Sequence, residues 1–282
     1  MSSSEKVSSS EKVEAAVEAV PIPYLCVLTL VRLDLLKRLI DSIDYPVNNV
    51  VILFQGNVKR DKINLVNTFV KKFIFISSNM NIGVSRGWNY FLKKIPSPYW
   101  LISGDDCFFE PSTLEHIAKF MSIPSSLENV FCGLTIKNRN DIPAGFNTFV
   151  ITKLLLQKVG LFDENIYPAY YEDSDLWHRI QLTKQKVATI DDAYINSGDN
   201  KQTGSCTLNS VTPIYRQKMD QCYKQNEIYY KTKWNIEGTN KFKYPFNNPK
   251  FDVKNNRIPH INYLKNQKIL LGHANAPTFT LL

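Results

Sequence analysis

The chain lacks any apolar run approaching the ~20 residues of a membrane-spanning helix, its strand-like stretch Tyr24 to Val31 being far shorter. No basic-then-apolar leader opens it. Cysteine is sparse: Cys26, Cys107, Cys132, Cys206 and Cys222 are scattered, odd in number and free of any CxxC pair, which argues against a zinc site and against a disulfide framework. No motif of basic residues interleaved with stacking aromatics accompanies the net charge of +8, so nucleic acid is not an expected partner. What these absences leave is a soluble, cytoplasmic protein with reduced thiols, peripheral contact with a membrane being left open.

The positive charge is concentrated at one end. Residues 211–282 carry 12 Lys and Arg against 4 Asp and Glu, whereas residues 21–210 carry 20 against 18. Such a segment can touch nucleic acid, an anionic membrane or an acidic glycan, but a solvated lysine-rich face is the simpler account.

At 282 residues with 44% hydrophobic content, the chain can bury a full core as one large domain, with or without an appendage. Residues 1–20 duplicate SSSEKV at 2–7 and 8–13 and lack bulky core-forming side chains, which predicts a disordered or loosely helical tail. From Pro21 onward, short apolar runs alternate with amphipathic stretches. Strands are predicted from Tyr24, at Val50 to Phe54, at Phe73 to Ser77 and at Tyr99 to Ser103, with helices over Leu33 to Ile43, Asp61 to Lys72 and Ser85 to Lys94. That alternation means an α/β fold with a mainly parallel, doubly wound sheet.

Past residue 110 the pattern mixes. Helices are predicted over Pro111 to Met121, Thr152 to Val159, Asp175 to Leu182 and about Pro213 to Lys233, and strands at Val130 to Thr135 and Thr148 to Ile151. The expected division is a first half over 21–109, a second half over 110–247 and an extension over 248–282 that can wrap the domain, dimerise with a second copy or lead to a partner.

In open α/β sheets, ligands sit beyond the carboxyl ends of the strands. Polar residues gather there: Thr29 and Arg32 after the first strand, Gln55 after the second, Asn79 to Gly83 after the third, and Gly104-Asp105-Asp106 after the fourth. A strand-end aspartate pair suits Mg²⁺ or Mn²⁺, which take oxygen ligands and keep positions open for phosphate and water. The same turn can also be only a turn. A second acidic cluster, Glu172-Asp173-Ser174-Asp175, can supply a base or simply cap a helix.

The stretch from Gly160 to Arg179, GLFDENIYPAYYEDSDLWHR, resembles the "G-hydrophobic-FDE … YxEDxDLxxR" segment of family 2 glycosyltransferases, the rhamnosyltransferase-like branch in particular. Thr29-Leu-Val-Arg32 is similar to that family's "TxNR" turn, and Asn81 to Asn89 to its "NxGxxxGxN" loop and helix. Asn226 to Trp234 and the Pro-Phe-Asn at 245–247 resemble its closing element. The matches span roughly residues 24–247.

The resemblance implies a GT-A fold and an inverting transfer of a hexose or deoxyhexose, rhamnose among them, from a UDP- or dTDP-linked donor to a glycan hydroxyl. It places Thr29, Arg32 and Gln55 around the nucleoside, and Asn81, Gly83 and Arg86 along the pyrophosphate. Asp106 would hold Mn²⁺ or Mg²⁺, with Asp105 near the ribose or behind the metal. Asp173 matches the catalytic base, beside the positive end of a helix dipole that favours the charged form a base requires. Glu172, Asp175 and Trp177 fall on the acceptor side, although Trp88, Trp100 and Trp177 fit core packing equally well.

Three departures stand out. Gly104 occupies the first position of the metal-binding motif, Gln55 stands where an aspartate would meet uracil, and Asn196-Ser-Gly-Asp replaces a histidine, leaving water or Asp199 to complete a metal site. Lys231 and Lys233 can steer phosphate or belong to a solvated face. A catalytically inactive glycan-binding module and a nucleotidyltransferase are the rival readings, the second lacking its glycine-rich phosphate loop.

Overall fold

The apolar runs become the middle of a sheet because both of their faces are covered. In the computed structural model, which describes residues 19–30, 32–128, 130–137, 142–143, 145–183, 186–198, 212–234, 261–273 and 276–282, the order begins β1 (Ile22–Thr29), α1 (Leu33–Asp41), β2 (Val47–Gln55), β3 (Val70–Ser78), α2 (Val84–Lys94), β4 (Tyr99–Gly104), β5 (Cys107–Phe109) and α3 (Thr113–Ser122). It continues with β6 (Val130–Gly133), β7 (Thr135–Ile136), β8 (Ile142–Pro143), β9 (Thr148–Thr152), α4 (Lys153–Val159), α5 (Glu172–Leu182), β10 (Lys186–Val187) and β11 (Tyr194–Ser197). The last elements are α6 (Pro213–Trp234), α7 (Ile261–Leu271) and β12 (Phe279–Leu281).

Among the described residues, the main sheet has the order β10-β6-β9-β4-β1-β2-β3-β12, and β5-β11-β7-β8 form a smaller one. Strands β4, β1, β2 and β3 are parallel, while β9 and β12 run against their neighbours. Alternation along β1 and β2 sends Leu25, Val27, Val50 and Ile52 to the face packed with Leu36 and Leu39 of α1 and Ile117 of α3. Cys26, Leu28, Val51 and Leu53 go to the other face, against Trp88 and Phe91 of α2 and Leu176 of α5. Full burial of each such side chain is worth roughly 1.5–3 kcal/mol, against about 0–1 kcal/mol for an exposed ion pair such as Lys37–Asp41 at 2.6 Å. The sheet core therefore fixes where the strands end.

Those ends position the site. Because β1 is flanked by β2 on one side and β4 on the other, the chain reverses its direction of winding there, and a crevice opens at the carboxyl ends of β1 and β4.

Two expectations are corrected. The helix predicted over Asp61 to Lys72 is a single 3-10 turn, Arg60–Lys62, followed by irregular chain and the early start of β3 at Val70. Asn67 is the physical reason: its Nδ2 donates to the carbonyls of Ile40 (2.8 Å) and Ile43 (2.9 Å), and its Oδ1 accepts from the Phe69 amide (2.8 Å). The side chain thus takes the Phe69 amide that a helix would use and ties the segment to the end of α1 instead. Helix α5, predicted from Asp175, starts at Glu172 instead, which changes the direction in which every acidic residue of that cluster points.

Beyond residue 260, α7 packs on α6, with Tyr263 and Leu270 joining Tyr167, Met219 and Cys222 in one apolar cluster, and β12 pairs with the edge of β3. Among the described residues, no helix is long and apolar enough to cross a membrane. The duplicated tail over 1–18, Asp199, Cys206 and the Pro-Phe-Asn at 245–247 lie outside the described residues.

Candidate active site

A cleft with a cavity volume of about 220 Å³ opens at the switch between β1 and β4. Its floor is Leu28 of β1, Gln55 of β2 and Gly104, Asp105 and Asp106 after β4; its walls are Asn81, Val84 and Trp88 from the start of α2, Pro168 to Tyr170 and Glu172 before and in α5, and Tyr215 and Met219 of α6. This volume is below the ~300–1,000 Å³ of sites that enclose a whole drug-sized ligand, so the described walls suit the inner part of a larger one.

Asp105 is buried, 6% exposed, and accepts a 2.6 Å hydrogen bond from the Thr29 hydroxyl. Burial pushes its carboxyl up to about 7, with the neighbouring Asp106 adding to the rise and Thr29 and Arg32 opposing it. Asp106 has its backbone oxygen fixed by the Gly198 amide at 2.9 Å and by the Arg38 guanidinium at 3.3 Å, and Arg38 also donates to the Gly198 carbonyl at 2.6 Å. The turn that carries its side chain into the cleft lining is thereby braced. Gly104, a departure in sequence, has a reason in space: a Cβ there would lie 3.1 Å from Asp106 Oδ1, crowding that carboxylate.

The opposite wall is held tightly. Gly83 adopts φ +80°, and a Cβ on it would sit 2.7 Å from the Tyr167 ring and 3.0 Å from the Pro168 oxygen. The Val84 amide donates to that oxygen at 2.7 Å, and the Tyr167 hydroxyl donates to the Asn81 carbonyl at 2.9 Å. Tyr170 and Tyr171, with φ of 74° and 77°, occupy the left-handed region, where a bulky side chain costs about 1–3 kcal/mol. Asn226 of α6 offsets that strain: its Nδ2 donates to the carbonyls of Tyr167 (3.1 Å), Ala169 (3.0 Å) and Tyr170 (3.4 Å). Asn262 and Asn266 of α7 in turn donate to Asn226 Oδ1 at 3.0 and 2.8 Å. Asn226 opened the stretch that resembles the closing element, but no bracing role was expected of it, and Asn262 and Asn266 carried no pattern in sequence.

Of the residues expected at the site, Gln55, Asn81, Asp105, Asp106 and Glu172 meet around this cleft. Gln55 Oε1 accepts from the Ile82 amide (3.1 Å), and Asn81 Nδ2 donates to the Tyr215 hydroxyl (2.9 Å). Thr29 stands behind Asp105. Arg32 is held by Asp34 at 2.6 Å. Arg86 turns away from the cleft, paired with Glu164 at 3.1 Å and lying 4.1 Å over the Tyr263 ring.

The acidic cluster divides. Asp173 and Trp177 line a neighbouring cleft with Phe131, Gly133, Phe146 and Ala188, so a single cleft shared by Asp106 and Asp173 is not what the structure shows. Successive helical residues point about 100° apart; with α5 starting at Glu172, Glu172 faces one cleft and Asp173 the next. Asp173 Oδ1 accepts from the Ser174 amide at 2.6 Å. Asp175 is in neither cleft: fully buried, it bonds Arg179 (2.9 Å), Lys233 (2.7 Å) and the Trp234 indole (2.8 Å). Burial would raise its carboxyl, but Lys233 and Arg179 hold it below the ordinary value. Lys233, read as a phosphate-steering or solvated residue, is instead 2% exposed and joins Asp163 to Asp175. His178 packs edge-on against Trp234, ring centres 4.3 Å apart.

Glu172 is 7% exposed. Its Oε2 is buried and has no hydrogen-bond partner among the described residues. Burial raises its carboxyl well above the ordinary range, Asp173 adds to the rise, and the backbone amides of Glu172 and Tyr170 oppose it.

No protein-family model matches the chain, and no curated protein matches it in sequence. Solved structures do match in shape. A mannosyltransferase from Pyrobaculum calidifontis, in complex with GDP-Man and Mn²⁺, superposes with a TM-score of 0.52 at 16% identity, over 92% of this chain and 76% of that one. GalNAc-T7, crystallised with UDP, GalNAc and Mn²⁺, superposes with a TM-score of 0.53 at 11% identity, over 77% of this chain and 49% of that one. At such identities the likeness shows the fold, a GT-A α/β domain with a mainly parallel central sheet.

Proposed function

We propose that the chain is a nucleotide-sugar-dependent glycosyltransferase whose donor diphosphate and sugar occupy the cleft between β1 and β4. The observation that carries the reading is electrostatic. Three carboxyl groups, Asp105, Asp106 and Glu172, line the cleft, and no Lys or Arg does so among its described residues. An anionic diphosphate would be repelled there unless a cation accompanied it.

The residues fit such a cation. Mg²⁺ and Mn²⁺ rely on one or two carboxylates together with substrate phosphates, and the Asp105-Asp106 pair at the end of β4 offers carboxylates to this cleft. Asp106 is the carboxylate that would hold it, with Asp105 behind. When bound, the ion neutralises charge on the leaving diphosphate. The GT-A fold, shared with structures that hold GDP-Man or UDP beside Mn²⁺, supports the same assignment.

Gln55 and Asn81 shape the donor side. The acceptor, a glycan hydroxyl, enters from the neighbouring cleft, where Asp173 takes its proton and Trp177 offers an aromatic wall. Its oxygen then attacks the anomeric carbon as the bond to the diphosphate breaks, and direct displacement by one base inverts that centre. The donor class is a UDP- or dTDP-linked hexose or deoxyhexose, rhamnose included. Thermal melting with nucleotide sugars, with and without Mn²⁺, tests the reading: a rise in melting temperature that needs both components is expected, since ligands of the native state stabilise it. No shift with any UDP-, dTDP- or GDP-sugar would refute it. Asp173→Asn is expected to abolish transfer and leave that shift intact; normal turnover would move the base elsewhere.

A further inference from the structure

The fold leaves one carboxyl oxygen in the cleft without a hydrogen-bond partner among the described residues. Asp105 has Thr29, and Asp106 offers itself to a cation; Glu172, equally removed from water, has a buried oxygen that no described residue satisfies. An unmatched buried oxygen of this kind destabilises the fold, more so when charged. The segment that delivers it is held in two left-handed tyrosines by the Asn226 brace, which fixes the backbone from which the side chain enters the cleft.

Resting on the glycosyltransferase reading, we infer that Glu172 is the residue that recognises the donor's sugar: its free carboxyl oxygen accepts a hydrogen bond from a ring hydroxyl, and it restricts the donor to neutral sugars. The chemistry of the surrounding wall agrees. Trp88, Tyr170 and Met219 offer apolar surface to a sugar's C–H face, while a carboxylated sugar would bring a fourth carboxyl group to a cleft that already holds three. Burial and the nearby Asp173 keep the Glu172 carboxyl above its ordinary range, so the free protein holds a group whose surroundings improve when a hydroxyl arrives. Asp173, one residue on, faces the other cleft; recognition of the donor and activation of the acceptor are thus divided between adjacent residues.

The test measures binding, with Mn²⁺ present, of UDP, dTDP and GDP against UDP-glucose, dTDP-rhamnose, GDP-mannose and UDP-glucuronate, for the wild-type chain, Glu172→Ala and Glu172→Gln. The wild type is expected to bind one neutral nucleotide sugar about tenfold or more tighter than the matching diphosphate and to disfavour UDP-glucuronate relative to UDP-glucose. Glu172→Ala is expected to lose that increment, Glu172→Gln to reduce it, and both to bind the bare diphosphate within about twofold of wild type. Unliganded, both are expected to melt at or above the wild-type temperature, an outcome a purely structural role would not give. An unchanged sugar increment in both variants overturns the inference, as does a lowered melting temperature with that increment intact. If no diphosphate binds in the presence of Mn²⁺, the glycosyltransferase reading itself fails and takes this one with it.

Discussion

Helix α5 carries two buried carboxylates three residues apart whose surroundings are opposites. Asp175 is closed off by Arg179, Lys233 and the Trp234 indole within 3 Å; Glu172 ends in an oxygen with no partner among the described residues. Burial alone therefore does not tell a structural charge from a functional one. What separates them is whether the protein itself completes the hydrogen bonding.

The comparison breaks most severely at Asp175. Asp175→Asn removes a charge that two buried cations share, leaving Arg179 uncompensated and Lys233 with Asp163 alone, and is expected to cost about 3–5 kcal/mol of stability by urea unfolding. A loss below about 1 kcal/mol would mean the network is looser than its geometry. Gly83→Ala is next: the added Cβ must displace the Tyr167 ring and strain a backbone at φ +80°, for an expected loss of about 1–3 kcal/mol together with weakened ligand stabilisation. The smallest effect sharpens the other side of the comparison. Because the Glu172 carboxyl titrates above its ordinary range when folded, its contribution to stability is complete below an unfolded value of about 4.3 and declines as pH rises through the raised one. Glu172→Gln cannot ionise, so its stability should gain on the wild type's as pH increases from 4 to 8. Parallel curves would show that Glu172 is not held in the way described.

Much of this architecture was legible in the residues. Runs such as Val50 to Phe54 could only be strands buried on both faces, and their alternation with amphipathic helices put Gln55, Asp105 and Asp106 at one end of a parallel sheet. The helix expected over Asp61 to Lys72 failed because Asn67 spends its amide on Ile40 and Ile43, a tertiary contact that local periodicity cannot register. Spacing also could not fix the start of α5. Moving that start from Asp175 to Glu172 decided which acidic residue faces which cleft, placing Asp175 in the core, Glu172 in the cleft with Asp106 and Asp173 in the other. Spacing could not register the partner of Arg86 either, since Glu164 lies 78 residues away in the chain.

The central claim is that Asp106 brings a cation to a cleft otherwise too acidic for a diphosphate. The direct measurement is the melting temperature of wild type and Asp106→Asn with a binding nucleotide sugar, titrated with Mn²⁺. Wild type should gain stability only when both ligands are present, and Asp106→Asn should melt like wild type alone yet lose that joint gain. An equal gain in the variant, or a full gain in wild type with chelator in place of Mn²⁺, would contradict it.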